Sequence, residues 1–340
     1  MKKIICFLSC IFFVFWVNAQ VSKTVNVDTA GTLSSLLTAT EKSTVTNLTL
    51  TGNIDARDFK TMRDEMLVLS SVDIENTNIQ GYTGSGGTSS SSKITYLENE
   101  VPQNAFNASL GKSNQIKSII LPNRLASIGN NAFVSCKELE NFTIPGFVKT
   151  IGTNAFSNCS KLVGMNIPKS VVSIGSAAFQ YCLGLKEITE PSSVATRGRN
   201  IFLSCENLEN IYVDPSNSYF TSIDGVVFNK TQTKLLIFPP GREGSYSIPS
   251  SVLSIESLAF CNCHKLRSVF IPNTVTSLGD HAFSASRLTT VTIPKSINSI
   301  GNGAFLFCNL LNEINVDPEN PSFCSTDGVV FDKAKTKLLI

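Results

Sequence analysis

From Phe133 onward the apolar positions of this chain recur at a fixed long interval, not at the short period of an isolated helix or strand. Phe133, Phe156, Phe179 and Phe202 follow one another at 23 residues, and Phe260, Phe283 and Phe305 continue at 23 and 22. Around each runs one pattern: Ile-Pro, then Val, then Ile-Gly, then Ala-Phe, then Cys, then Leu. A period of this length is the mark of a solenoid, in which each repeat buries its flat faces only against its neighbours. Within a repeat, Phe142 and Ile144 alternate with Thr143, the period of a strand with one buried face, and Pro145 ends it because proline brings no N–H to a ladder. Gly152 is read as a turn. Thr153, with its equivalents Asn130, Ser176, Ser257, Asp280 and Asn302, stands where a side-chain oxygen caps a short helical turn carrying Ala155, Phe156 and Cys159; only Arg199 departs from the rule. The predicted coil is therefore a strand, a turn and a helical turn, and the predicted fold an α/β solenoid that is mostly β.

Stacking such coils about 4.8 Å apart sets their strands in a parallel ladder and lines up Leu139, Leu162, Leu185, Leu208, Leu266 and Leu288 as an apolar spine. Cys136, Cys159, Cys182, Cys205, Cys263 and Cys308 form a second spine, each three residues after its phenylalanine. Ser286 fills that position in one copy, so these cysteines read as small buried hydrophobes and not as a disulfide framework.

Two other units flank the repeats. Over residues 21–95, Leu33, Leu36 and Leu37, and again Phe59, Met62 and Met66, have helical spacing, while Leu48-Thr49-Leu50 and Val72-Asp73-Ile74 read as strands. This segment is expected to cap the array with atypical rungs, and Gly84 to Ser92 to be a flexible loop or linker. The array itself occupies residues 96–340. It is interrupted near 214–240 by Asp224-Gly225-Val226-Val227-Phe228-Asn229-Lys230 and Lys234-Leu235-Leu236-Ile237, and near 317–340 by the same text at Asp327 to Lys333 and Lys337 to Ile340. Two apolar runs joined by a short polar linker predict an inserted β-hairpin. The second copy has no counterpart of Phe238-Pro239-Pro240-Gly241, so the array is expected to continue past Ile340 or to hide its open end by association.

The unit Ile-Pro-x-x-Val-x-x-Ile-Gly-x-x-Ala-Phe-x-x-Cys-x-x-Leu, with the Asp-Gly-Val-Val-Phe hairpin and the Pro-Pro-Gly return, resembles the BspA-like leucine-rich repeat family of bacterial proteins from about Tyr96 to Ile340. The resemblance implies a leucine-rich repeat solenoid, location at the cell surface or outside the cell, and binding of extracellular protein or glycan, a host matrix protein included. It carries no residue-level motif.

Charge and chemistry narrow the function further. Lys2 and Lys3 precede an apolar run from Ile4 to Val17, and Val17-Asn18-Ala19 supplies a cleavage site, so residues 1–20 read as an export signal too short to span a membrane comfortably. Without those two lysines the 28 basic residues become 26, equal to the 26 acidic ones, a balance ill suited to nucleic acid. No phosphate loop or Gly-x-Ser-x-Gly elbow is present. Cys261-Asn262-Cys263-His264 lacks a second ligand pair at a suitable spacing, so neither metal nor other cofactor is expected. Glu190 and Arg197 replace the isoleucines of the repeat at two core positions and read as a buried ion pair, with a catalytic carboxylate as the sharper alternative. The candidate contact surface is the solvent side of the strand ladder: Thr143, Asn166, Thr189, Tyr212, Phe270, Thr292 and Asn315. Its hydroxyls, amides and two aromatics suit protein or glycan binding without catalysis. A carbohydrate-active β-helix enzyme, which would gather acids on consecutive rungs, and a passive surface spacer are the rival readings.

If the leader reading is correct, N-terminal sequencing of secreted protein will begin at Gln20. Any other start rejects cleavage after Ala19.

Overall fold

The computed structural model describes residues 20–91, 93–110 and 115–338, so the leader through Ala19 lies outside the described residues. The chain winds into a parallel β-solenoid of about 13 turns. Its first sheet joins Ser22–Val27, Asn47–Ile54, Ser71–Ile79 and Ser118–Ile120 in parallel, so the N-terminal segment continues directly into the array. The expected helices are there, at Leu33–Leu36 and Ala56–Asp64. Asp58 fastens the unit: its buried carboxylate accepts from the N–H groups of Gly31, Leu33 and Asp55, although burial raises its pKa.

The stretch from Gly84 through Ser91 is not a free linker, and Ser92 lies outside the described residues. Tyr82–Gly84 pairs antiparallel with Ile94–Tyr96, the rings of Tyr82 and Tyr96 stack, and Ser89 N–H donates to the Tyr96 hydroxyl. Thr88 is buried, and its carbonyl accepts from Arg63. Composition suggested flexibility, but two tyrosines at either end and an arginine beneath supply the partners that the glycines and serines lack.

Each repeat contributes to the stack in three places. The short Ser-Ile strands pair in register, Ile128 with Ile151, Ile151 with Ile174 and Ile174 with Arg197. The strand segments before the Ile-Pro turns form a second ladder. The third place differs from the sequence expectation, because the Ala-Phe segment is not helical. It is a series of hydrogen-bonded turns in which residues such as Asn131 and Ser135 take φ of 56° and 59°. A right-handed helical turn points its N–H groups along its own axis. The left-handed residues redirect them instead toward the next coil, where Asn131, Phe133 and Ser135 donate to Thr153, Ala155 and Ser157 at 2.8 Å each. Asparagine tolerates that conformation better than most residues.

The oxygen-bearing side chains read as helix caps have a different task for the same reason. Asn130 Oδ1 accepts from Thr153 N–H, Ser176 Oγ from Arg199 N–H and Asp280 Oδ1 from Asn302 N–H, each on the following coil. Gly152 likewise serves close approach and not a turn: a Cβ there would sit 2.7 Å from the backbone of Gly129 and Asn130.

Inside, the phenylalanines stack in columns. Phe106, Phe133, Phe156, Phe179 and Phe202 have successive ring centroids 5.7, 5.2, 5.5 and 5.7 Å apart, and Phe238, Phe260, Phe283 and Phe305 form a second run. The break between them is the inserted unit. Val226–Asn229 pairs antiparallel with Lys234–Ile237, as the sequence predicts, and also with Phe220–Ile223, which makes a three-stranded meander. Leu235 then pairs with Ile255 and Phe238 N–H donates to Ala259, so the insert completes a coil of its own. The second insert repeats this, with Phe323–Thr326 on Val329–Asp332 and a bridge from Phe331 to Leu338.

Both inserts hang on one buried asparagine. Asn217 Nδ2 donates to the Pro191 and Val194 carbonyls while its Oδ1 accepts from Tyr219 and Phe220; Asn320 does the same with Pro294, Ile297, Ser322 and Phe323. Truncating Asn217 strands two carbonyls and two N–H groups at once. Asn217→Ala should cost on the order of 3 kcal/mol in denaturant unfolding, against well under half that for Ser216→Ala on the exposed turn beside it. Equal small losses would show that the asparagine is not the anchor.

Candidate functional site

All seven side chains expected on the contact face are exposed. They lie on the strands that lead into the proline turns: one inward residue and then proline follow Thr143, Asn166, Thr189, Phe270 and Thr292, while at Tyr212 and Asn315 an aspartate comes between, and in every case the named side chain points out and its neighbours point in. Asn166 bridges to Thr189, Thr189 pairs with Tyr212, and Thr292 pairs with Asn315. Thr143 lies one coil before Asn166. Phe270 pairs with Ser247, which occupies the coil made by the insert. Tyr212 and Phe270 therefore belong to two separate ladders with the Ser247 coil between them. Tyr212 is 43% exposed and Phe270 64%.

Two members of this face were missed in the sequence. Ile120 sits in register before Leu121-Pro122, pairs across to Asp73 and is 51% exposed; a Leu-Pro variant of the Ile-Pro mark would have revealed it. Ser247 precedes Ile248-Pro249 and was hidden by the insert, which displaces it from the 23-residue count. The face thus offers hydroxyl and amide groups, which both donate and accept, beside three apolar or aromatic side chains, with no charge among the seven predicted positions.

Glu190 and Arg197 meet as the repeat alignment implied. Arg197 Nη2 donates to Glu190 Oε2, with side-chain exposures of 7% and 0%, and the guanidinium lies 4.0 Å over the ring of Phe220. Arg197 occupies the ladder position of Ile174, and Glu190 pairs with Val213. Burial raises the carboxyl's pKa even with the guanidinium beside it. Glu190 Oε1 and Arg197 Nε and Nη1 make no further hydrogen bond within the chain. An ion pair of this kind is a structural element whose halves depend on each other, since either charge alone would be left unpaired in the core.

The cysteine spine is composed of free thiols. Each does more than fill space: Cys159 Sγ donates to the Phe133 carbonyl and Cys182 Sγ to that of Phe156, both at 3.2 Å, and Cys205 Sγ to Phe179 at 3.0 Å. Burial pushes the Cys205 thiol up to about 12, which keeps it protonated and a poor nucleophile at neutral pH. In the Cys261 to His264 run, Cys263 belongs to the spine and His264 Nε2 lies 3.9 Å from Glu206. Among the described residues no three His, Cys, Asp or Glu side chains converge as a metal site would require, and no helix is long and apolar enough to cross a membrane.

A parallel β-solenoid of short strands joined by a hydrogen-bonded turn ladder is the architecture of the leucine-rich repeat class. Comparison with family models places it more closely: residues 99–235 and 244–331 match the BspA type leucine-rich repeat region, in six copies, and the chain belongs to that family. Among solved structures it is similar to a leucine-rich repeat protein from Eubacterium ventriosum, with 25% identity and a TM-score of 0.55 over 69% of this chain and 72% of that one. A leucine-rich repeat protein from Bacteroides ovatus is 26% identical, with a TM-score of 0.50 over 74% of this chain and 58% of that one. The pneumococcal vaccine antigen PcpA, 20% identical with a TM-score of 0.53 over 82% of this chain and 64% of its own, shares the fold. No curated protein matched the chain.

The paired charges yield a direct test. Arg197→Leu should destabilise by on the order of 3 kcal/mol, whereas the double change to isoleucine at 190 and 197 should be far milder. Equal losses from the single and double variants, read from chemical unfolding, would reject mutual dependence.

Proposed function

We propose that this chain is an exported surface protein that binds extracellular protein or glycan, host matrix protein included, through the exposed face of its strand ladder, without catalysis. The observation that carries this reading is the alignment of Thr143, Asn166, Thr189, Tyr212, Phe270, Thr292 and Asn315 on one face, all exposed, two of them aromatic. Ladder pairing holds these side chains in register, so little conformational entropy is lost when a partner docks. Aromatic residues standing out of a polar field are frequent binding anchors. The lysines and apolar run at the N-terminus support export, and membership of the BspA-type family agrees with a surface role.

The test is capture of ligands from matrix proteins and a glycan panel by the chain beginning at Gln20, followed by affinity measurement. Tyr212→Ala and Phe270→Ala should each weaken binding about tenfold or more without lowering the melting temperature. Unchanged affinity in both variants would exclude this face.

A further inference from the structure

Among the turn-ladder residues of the solenoid, away from the seven strand-face positions, the insert opens a cleft of about 310 Å³ at the seam between the two phenylalanine columns. Elsewhere the turn ladder closes this space, as where Phe179 N–H donates to Ile201 and Phe260 N–H to Ala282. At the seam the next turn is the short Phe238-Pro239-Pro240, and among the described residues the Asn200, Phe202 and Ser204 N–H groups make no such bond to it. The gap is braced on its far side by Gly241 N–H donating to Leu208, and by Asn262 Nδ2 donating to Ser204 Oγ at 2.7 Å. It is a built opening.

Its walls include Phe202, Phe220, Leu236 and Phe238, with Arg197 and Asn200 among the polar groups. Arg197 Nε and Nη1 and Asn200 Oδ1 are buried and without partners in the chain. Donors and an acceptor are thus left over together. The charge of Arg197 is already answered by Glu190, and Arg199 on the same walls is offset by Glu256, so an anionic ligand would meet a lining with no net positive charge. What complements the set is a neutral group that both accepts and donates, on a body with an apolar face. A hydroxyl does both on one atom, and pockets of a few hundred Å³ with aromatic walls and few polar groups are typical small-ligand sites.

We propose that this cleft binds a single neutral sugar unit, its ring face on the aromatic wall and its hydroxyls on Arg197 and Asn200, independently of the strand face. The chain beginning at Gln20 would be titrated by ligand-observed NMR with glucose, galactose, mannose and N-acetylglucosamine, and with glucuronate and benzoate as acidic and aromatic controls. At least one neutral sugar should bind. Asn200→Gly, which removes the acceptor at a residue whose φ is 60° and suits glycine, and Leu236→Trp, which fills the cleft, should each weaken it about tenfold or more. Tyr212→Ala should leave it unchanged, which separates this site from the strand face. Should Leu236→Trp fail to fold, Asn200→Gly decides. Preference for the acidic controls, equal binding by both cleft variants, or no binding by any neutral sugar overturns the proposal.

Discussion

Hydrogen bonding from one coil to the next is the constraint on which everything else in this molecule depends. A coil of about 23 residues cannot satisfy all of its own backbone: its tight turns close a few bonds within the coil, and many of the other N–H and C=O groups find partners on the coils above and below. That requirement sets the register of the phenylalanine column, whose rings stay within about 5 to 6 Å of one another. It also explains why glycine follows the repeat isoleucine: at Gly175 and Gly279 a Cβ would lie 2.4 and 2.3 Å from the backbone of the preceding coil. The cysteines serve the same end, since a thiol is small enough for the spine and still has a proton for the phenylalanine carbonyl of the coil before it. Serine at position 286 keeps the small size, and its hydroxyl pairs instead with Cys308 Sγ of the following coil.

The inserts show what happens when that constraint is relaxed. Antiparallel pairing within Phe220 to Ile237 satisfies the backbone locally, so the meander needs fewer bonds to its neighbours. The core divides there into two clusters, the first running from Val25 to Val227 and the second from Val226 to Val330. The charged pair lies beside this division. Arg197 replaces the last isoleucine of its ladder, where the following coil presents Phe220 in place of another isoleucine, and the flat guanidinium fits against that ring. Charge entered the core where the repeat had already ceased to dictate the neighbour.

The fold was legible because it is periodic. Strand phase, the apolar spine, the hairpins and the meeting of Glu190 with Arg197 all follow from alignment of the chain with itself. What alignment does not reveal is the direction in which a hydrogen bond points. Asparagine, serine and aspartate before Ala-Phe satisfy the N-cap rule equally well whether they bond their own turn or the next coil, so Asn130 and Asp280 were misassigned together with the helical turn. Asn217 and Asn320 were passed over because a buried asparagine that holds a loop looks, in sequence, like one more turn residue after Asp-Pro. Ile120 and Ser247 were lost where a variant mark or an insert shifts the count.

The same distinction separates the two surfaces. The strand face is legible because its residues alternate with the core, and exposure follows from phase alone. The seam has no sequence signature of its own: Arg197, Asn200, Phe220 and Leu236 lie on different elements, and only the shortened Phe238-Pro239-Pro240 turn brings an opening among them. In a stack where every coil is held by its neighbours, most side chains are committed to repetition. The positions that the ladder leaves free, among the described residues, are the outward phase of each strand and the break where two phenylalanine columns fail to join, and the proposed contacts are assigned to these.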